Sequence, residues 1–246
     1  MTDEPPVRLI SYNIRKALGT DRRRDPMRIV RVLSHANADI VLLQEADLRM
    51  GQRPAVLSLN ALEDIGLRPA ALAVTDVSMG WHGNVILIRP EWAADQIERI
   101  VLPGFEPRGA VTAVIATPHG PLRIIGVHLG LLRRSRLAQQ RAILDWIAER
   151  TDVPTVMAGD LNEWTLHRGL GPFAKSHSLH APGRSYHARW RLAPLDRIAA
   201  DRRLDVLDTG MIDTVLTRAA SDHLPIYADL APQSLRDAAL ALTKKT

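Results

Sequence analysis

Acids, amides and histidines fall at the ends of apolar runs in this sequence. Asn13 follows Leu9-Ile10-Ser11-Tyr12, Glu45 follows Ile40-Val41-Leu42-Leu43-Gln44, and His128 follows Ile124-Ile125-Gly126-Val127. Asp160 and Asn162 come after Val156-Met157-Ala158-Gly159, while Asp222 and His223 stand directly before Leu224-Pro225-Ile226. A lone acid or amide in such a place is usually a turn former or a helix cap. Several together, each at the end of a strand, make a rim of polar groups held on rigid elements. The hard oxygen donors Glu45, Asp160 and Asp222, with the amide of Asn13, suit Mg²⁺ or Mn²⁺, which take carboxylates together with substrate oxygens. There is no cysteine, so thiolate metal sites, disulfides and a cysteine nucleophile are excluded. A cation on a phosphoryl oxygen withdraws charge, and arginine guanidinium groups match the remaining phosphate oxygens through paired hydrogen bonds. No Gly-rich phosphate loop and no G-x-S-x-G serine elbow is present. The chemistry implied is direct attack by water on phosphorus.

The elements that must position these groups follow from the spacing of apolar residues. Residues 7–14 read as a strand. Residues 25–36 read as a helix, with Asp25 as its cap, Pro26 in its first turn, and Met27, Val30 and Leu33 on one face. The continuous apolar run 39–44 is that of a strand covered on both faces. A second helix is expected over 54–65, closed by Gly66. Strands are expected over 70–74, 83–89, 96–101, 110–116 and 122–128, then an amphipathic helix over 135–150. Further strands are expected at 155–158, 195–199, 204–207, 214–216 and 226–230, and a C-terminal helix at 234–242. Many strands in mixed order with few helices predict two packed sheets covered by helices, a four-layer α/β/β/α sandwich.

Composition sets the outer bounds. The chain has 246 residues with neither repeat nor Ser/Gly linker, so one domain spanning 1–246, with its core over about 7–230, is expected. Hydrophobic residues at 46% are enough for a sizeable core, and aromatics at only 4% leave that core to Val, Ile, Leu and Ala. The start Met1-Thr-Asp-Glu-Pro-Pro has no apolar segment after a basic one and does not read as a signal peptide. No run is long and apolar enough to suggest a spanning helix. A cytoplasmic monomer is the expectation. The formal charge of +5 suits a polyanionic partner, and equally suits a plain solvated surface.

Taken in order, Ser11-Tyr-Asn-Ile-Arg15, Val41-Leu-Leu-Gln-Glu45, Gly83-Asn-Val-Ile-Leu87, Val127-His-Leu129, Gly159-Asp-Leu-Asn162, Leu195-Asp-Arg-Ile198 and Ser221-Asp-His-Leu-Pro225 resemble the successive motifs of the endonuclease/exonuclease/phosphatase superfamily. Any one of them occurs by chance; the ordered set, from about Val7 to Leu230, is specific. The resemblance implies a deoxyribonuclease-I-like sandwich and a divalent-metal-dependent phosphoester hydrolase. Glu45 would be the principal metal ligand, with Asn13 beside it and Asp222 serving the metal or the water network. Asp160 would orient or deprotonate the attacking water, and Asn162 would bind phosphate or hold Asp160. His223 would contact the scissile phosphate as general base or as charged donor, oriented by Asp196. His128 matches a second active-site histidine of the deoxyribonuclease-like and sphingomyelinase-like branches. Arg108 and Asn84 would contact the substrate phosphate. The abasic-site endonuclease branch carries an acid where this chain has Arg15 and an amide where it has His128, which argues against close kinship with that branch.

A nuclease or other phosphodiesterase is the leading expectation, with a phosphoester, and in particular a nucleic acid, as partner. A sphingomyelinase-like lipid phosphodiesterase, a small-metabolite phosphatase and a non-catalytic binding module are the rivals. The runs Arg22-Arg-Arg24 and Arg133-Arg134 with Arg136 read as solvated faces or as phosphate contacts. Trp81-His82 reads as a substrate-side loop or as core.

Overall fold

The structure, a computed structural model, describes residues 4–48, 51–165 and 168–233; the helix expected over 234–242 lies outside them. Two six-stranded sheets carry the chain. In the first, β1 (Val7–Asn13) and β2 (Ile40–Gln44) run parallel at the centre. They are flanked by β3 (Arg68–Pro69) and β4 (Val85–Ile88) on one side, and by β11 (Leu204–Met211) and β12 (Ile226–Pro232) on the other. The second sheet has β7 (Gly120–His128) and β8 (Thr155–Asp160) parallel at its centre. Beyond them lie β5 (Ala94–Val101) and β6 (Gly109–Thr117) on one side, and β9 (His177–His180) and β10 (Asp196–Asp201) on the other.

Alternation along each strand explains the apolar runs. Leu9, Ile40, Leu42 and Ile86 face Val111, Ile124, Val156 and Ile198 of the opposite sheet, and this layer is the central core. The intervening Ile10, Val41, Leu43 and Val85 face outward, against Ile29, Val30 and Leu33 of α1 (Pro26–Ala36). In the second sheet Ile125, Val127 and Met157 pack outward, against Ile143 of α3 (Arg133–Ala148) and Phe173 of α4 (Gly171–Ser176). The expected α/β/β/α sandwich is the observed one. Covered on both faces, the central strands admit polar side chains mainly at their ends.

Several element expectations change for identifiable reasons. Asp25 caps α1 through Arg28 N–H as expected, but Met27 is half exposed and Ile29 and Val32 complete the buried face. Residues 54–57 do not join α2 (Leu59–Glu63), because Leu48 and Ala46 take their backbone partners from Pro54 and Val56. The strand expected at 70–74 is not formed; the short β3 lies just before it, and Ala70 and Leu72 still enter the central core. Residues 214–216 begin α5 (Val215–Ala220) instead of a strand. Thr214 and Thr217 form a reciprocal cap there, and Leu216 and Ala220 pack among the α1 residues. α4 and β9 were not anticipated; the Gly171-Pro172 pair opens α4 with proline in its first turn.

Ile198 is fully buried between the sheets and Val101 is 78% exposed. Ile198→Ala is expected to cost ~3 kcal/mol in urea denaturation, and Val101→Ala less than ~0.5 kcal/mol. Equal losses would contradict the assignment of the core.

Candidate active site

The register of the strands assembles the site. Because β1 and β2 are parallel, Asn13 and Gln44 are partners, which leaves Glu45 just past the same edge. The parallel pair β7 and β8 sets His128 beside Asp160, and the antiparallel β10 sets Asp196 on the other side of Asp160. β12 runs antiparallel to β1, so the residues that enter it, Ser221 to His223, also arrive at the Asn13 end. Ser221 Oγ fastens the two by donating to Asn13 O at 2.7 Å. Gly159 is obligatory for this approach, since a Cβ there would lie 1.9 Å from Val127 O. Glu45 has a left-handed backbone (φ 54). Gly83 packs against it, its own φ also positive, where a Cβ would lie 3.3 Å from Glu45 Cα.

Asp160 is the hub. Its Oδ1 accepts Asn162 N–H at 2.9 Å, and its Oδ2 accepts Asn13 Nδ2 at 3.0 Å. His128 Nε2 lies 3.4 Å and His223 Nε2 3.7 Å from the same Oδ2. The His223 ring is held from behind, with Nδ1 2.8 Å from Asp196 Oδ2. Ser185 Oγ also donates to that oxygen. Burial opposes a charge on His223, but Asp196 and Asp160, with Asp222 farther off, outweigh it and hold its pKa up to about 9. His223 is therefore an imidazolium at neutral pH, with Nδ1–H committed to Asp196 and Nε2–H turned toward Asp160. At 3.7 Å that last approach is too long for a hydrogen bond, so Nε2 and Oδ2 both keep bonding capacity toward the cleft.

The expected metal-side residues line the same cleft, of about 260 Å³, but do not converge on one point. Glu45 is ion-paired with Lys16, Asp222 with Arg15 at 3.2 Å, and Asn13 Oδ1 accepts Arg15 N–H at 3.1 Å. No group of three or more His, Asp or Glu among the described residues is arranged to hold a metal. A sparse site of one carboxylate and an amide oxygen nonetheless fits a hard cation that keeps water and substrate oxygens as its other ligands. The Lys16 ammonium resting on Glu45 marks that carboxylate as a place for positive charge.

Arg108 lines the cleft as expected, paired with Glu106 at 3.1 Å. Through Glu45, Arg108 and His128 the cleft continues into a second one of about 340 Å³, where Arg53 Nη1 lies 3.1 Å from His82 Nδ1. Asn84 lines neither cleft. It is buried, and its Nδ2 donates to Gly109 O at 2.9 Å, strapping β4 to β6 across the two sheets. Trp81 is half-buried and packs against the central core, its ring seated where a Cβ on Gly109 would be 2.1 Å away.

Sequence reasoning missed Lys16, Ser185, Trp164 and Tyr186, and it misread α3. That helix buries Arg136, Gln139 and Gln140 along with Ile143. Gln139 holds Gly130 N–H at 2.8 Å, and Arg136 pairs with buried Glu163 at 2.9 Å. Its polar face thus braces the segments that follow His128 and Asn162.

Against this geometry the comparisons with known proteins are decisive. The sequence profile described as Endonuclease/Exonuclease/phosphatase family matches residues 10–223. The chain belongs to this family. It is a metal-dependent phosphoester hydrolase. The fold is similar to that of an endonuclease/exonuclease/phosphatase from Beutenbergia cavernae (TM-score 0.74, 21% identity, covering 93% of this chain and 72% of that one). It is also similar to a mannosyl-6-phosphatase from Bacteroides thetaiotaomicron (0.70, 17%, 92% and 99%). A third likeness is to the catalytic domain of human Nocturnin with bound sulfate (0.69, 19%, 93% and 94%). No curated protein matches the sequence.

Arg136→Ala strands Glu163 without its buried partner, and a loss of ~3 kcal/mol in chemical denaturation is expected; an unchanged midpoint would remove the bracing role. In an NMR titration of the metal-free protein the His223 ring should stay charged until pH approaches about 9. Its charge is present below that midpoint and lost above it, and Asp196→Asn should bring the midpoint down by about 1–2 pH. A midpoint that does not move would mean that Asp196 exerts no electrostatic hold on the ring.

Proposed function

We propose that this phosphoester hydrolase is a phosphodiesterase that cuts nucleic acid by attack of water on phosphorus, assisted by Mg²⁺ or Mn²⁺. The observation that carries the reading is the placement of His223, held through Nδ1 by Asp196, with its Nε2 and the Asp160 carboxylate 3.7 Å apart on one cleft. A carboxylate and an imidazolium opening side by side on one cleft supply what displacement at phosphorus requires: an acceptor for the proton of water, and a donor for the charge that builds on the phosphoryl oxygens.

In this reading Asp160 orients water and takes one of its protons as the new P–O bond forms. Asn13 and Asn162 N–H keep the carboxylate fixed while it does so. His223 Nε2–H donates to a non-bridging oxygen, with His128 and Arg108 also lining the cleft. The ester P–O bond breaks and the departing oxygen takes a proton from solvent. A divalent cation on Glu45, with Asn13 beside it, would supply Lewis-acid withdrawal of charge from the phosphate. Asp222 holds Arg15 at the rim, within reach of the same substrate. The basic balance of the chain, with Arg108 lining the cleft and Arg15 paired to its Asp222, favours a polyanionic diester over a neutral-headed lipid.

Purified protein should hydrolyse bis-p-nitrophenyl phosphate with Mg²⁺ or Mn²⁺, lose that activity to a chelator, and regain it on metal addition. Asp160→Ala and His223→Ala should each lower turnover by at least ~100-fold. Wild-type rates in either variant would contradict the roles given to these residues.

A further inference from the structure

The wall of the cleft beyond His223 is aromatic. Tyr186 lies with its ring centroid 5.0 Å from that of His223, and Trp164 stands edge-on to Tyr186 at 5.9 Å. Both line the cleft that holds Asp160. The rings continue outward: Tyr186 meets His187 at 5.7 Å, and His187 stacks on Trp190 at 4.4 Å. Trp164 is 57% and Trp190 68% exposed, a costly way to use two of the largest apolar side chains if nothing covers them.

These rings are not on a loose loop. Tyr186 and Ala193 exchange backbone hydrogen bonds at 3.0 and 2.6 Å, Ala188 N–H donates to Asp222 O at 2.7 Å, and Leu224 N–H donates to Ser185 O at 3.0 Å. The segment is thus stitched to the Asp222–His223 turn. Its sequence, Tyr186-His-Ala-Arg189-Trp-Arg191, alternates rings with guanidinium groups. Arg189 Nε donates to Thr20 Oγ1 at 2.9 Å, which brings the exposed Arg22-Arg-Arg24 run to the same rim.

We propose that this surface is a stacking track for an unpaired strand of nucleic acid. Bases beside the scissile phosphate lie against Trp164, Tyr186 and Trp190, and the flanking phosphates meet Arg189 and the Arg22–Arg24 run. Rings spaced along a basic rim are what a single strand engages, because every base offers a face to stack and every phosphate a charge to neutralise. Duplex bases are already stacked on one another and cannot offer those faces. The inference rests on the phosphodiesterase reading only for where the scissile phosphate sits.

The test is binding without turnover. A fluorescein-labelled thymidine decamer is titrated with the protein in EDTA and followed by anisotropy. It is compared with a decamer of abasic tetrahydrofuran units and with a duplex of equal length. The thymidine strand should bind at least ~10-fold more tightly than either. Trp190→Ala should remove most of that advantage and Trp190→Phe should keep it. Arg189→Ala should reduce the slope of log Kd against log salt by about 0.7. Equal binding of the abasic strand, tighter binding of the duplex, or indifference to Trp190→Ala would each overturn the proposal. The assay contains no metal, so a protein that binds the strand through Trp190 yet hydrolyses no diester sinks the catalytic reading alone. A protein that hydrolyses diesters without telling the strands apart sinks this one.

Discussion

A carboxylate buried at the end of a strand must have its charge answered by hydrogen bonds and neighbouring positive charge. Asp160 is 2% exposed and is answered from several elements at once: Asn13 from β1, His128 from β7, the backbone of Asn162 just beyond β8, and His223 from the turn into β12. Each contact pins the end of a different strand, so the two sheets are tied together at one edge through a single side chain. The groups that keep Asp160 buried are also those that would surround a phosphate beside it.

The central strands explain why the edge carries the chemistry. β1, β2, β7 and β8 are covered by the opposite sheet on one face and by helices on the other. A polar side chain midway along them would need a buried partner; at the C-terminal end of a parallel pair it reaches the cleft. Such a partner is seen within β1, where the buried Ser11 hydroxyl accepts Gln44 Nε2 at 3.2 Å. The braces behind the cleft come from α3, whose buried glutamines and Arg136 hold the loops after His128 and Asn162.

This division also accounts for what was legible in the sequence. Asn13, Glu45, His128, Asp160, Asp196 and His223 could be found because each interrupts an apolar run, and the runs themselves announced a doubly covered sandwich. Asn84 sits in a similar pattern but turns inward, a difference of side-chain direction that spacing does not encode. Residues 214–216 looked like a strand because an apolar residue such as Leu216 packing against α1 gives the same short pattern as one packing between sheets. The polar buried face of α3 was hidden because its Arg and Gln residues read as solvent-facing. Trp164 and Tyr186 come from separate segments, and their rings meet where Tyr186 is bridged to Ala193 and His223. The alternation of rings with arginines over 186–191 was the one local signal for them.

The central claim is that water oriented by Asp160 attacks phosphorus directly, with His223 as a charged donor and not as a nucleophile. The stereochemistry at phosphorus tests it most directly. A diester of single phosphorothioate configuration is hydrolysed in ¹⁸O-water and the configuration of the product thiophosphate is determined. One direct displacement predicts inversion, with a single ¹⁸O on the product phosphorus. Retention would mean two displacements through a covalent phospho-enzyme and would contradict the account.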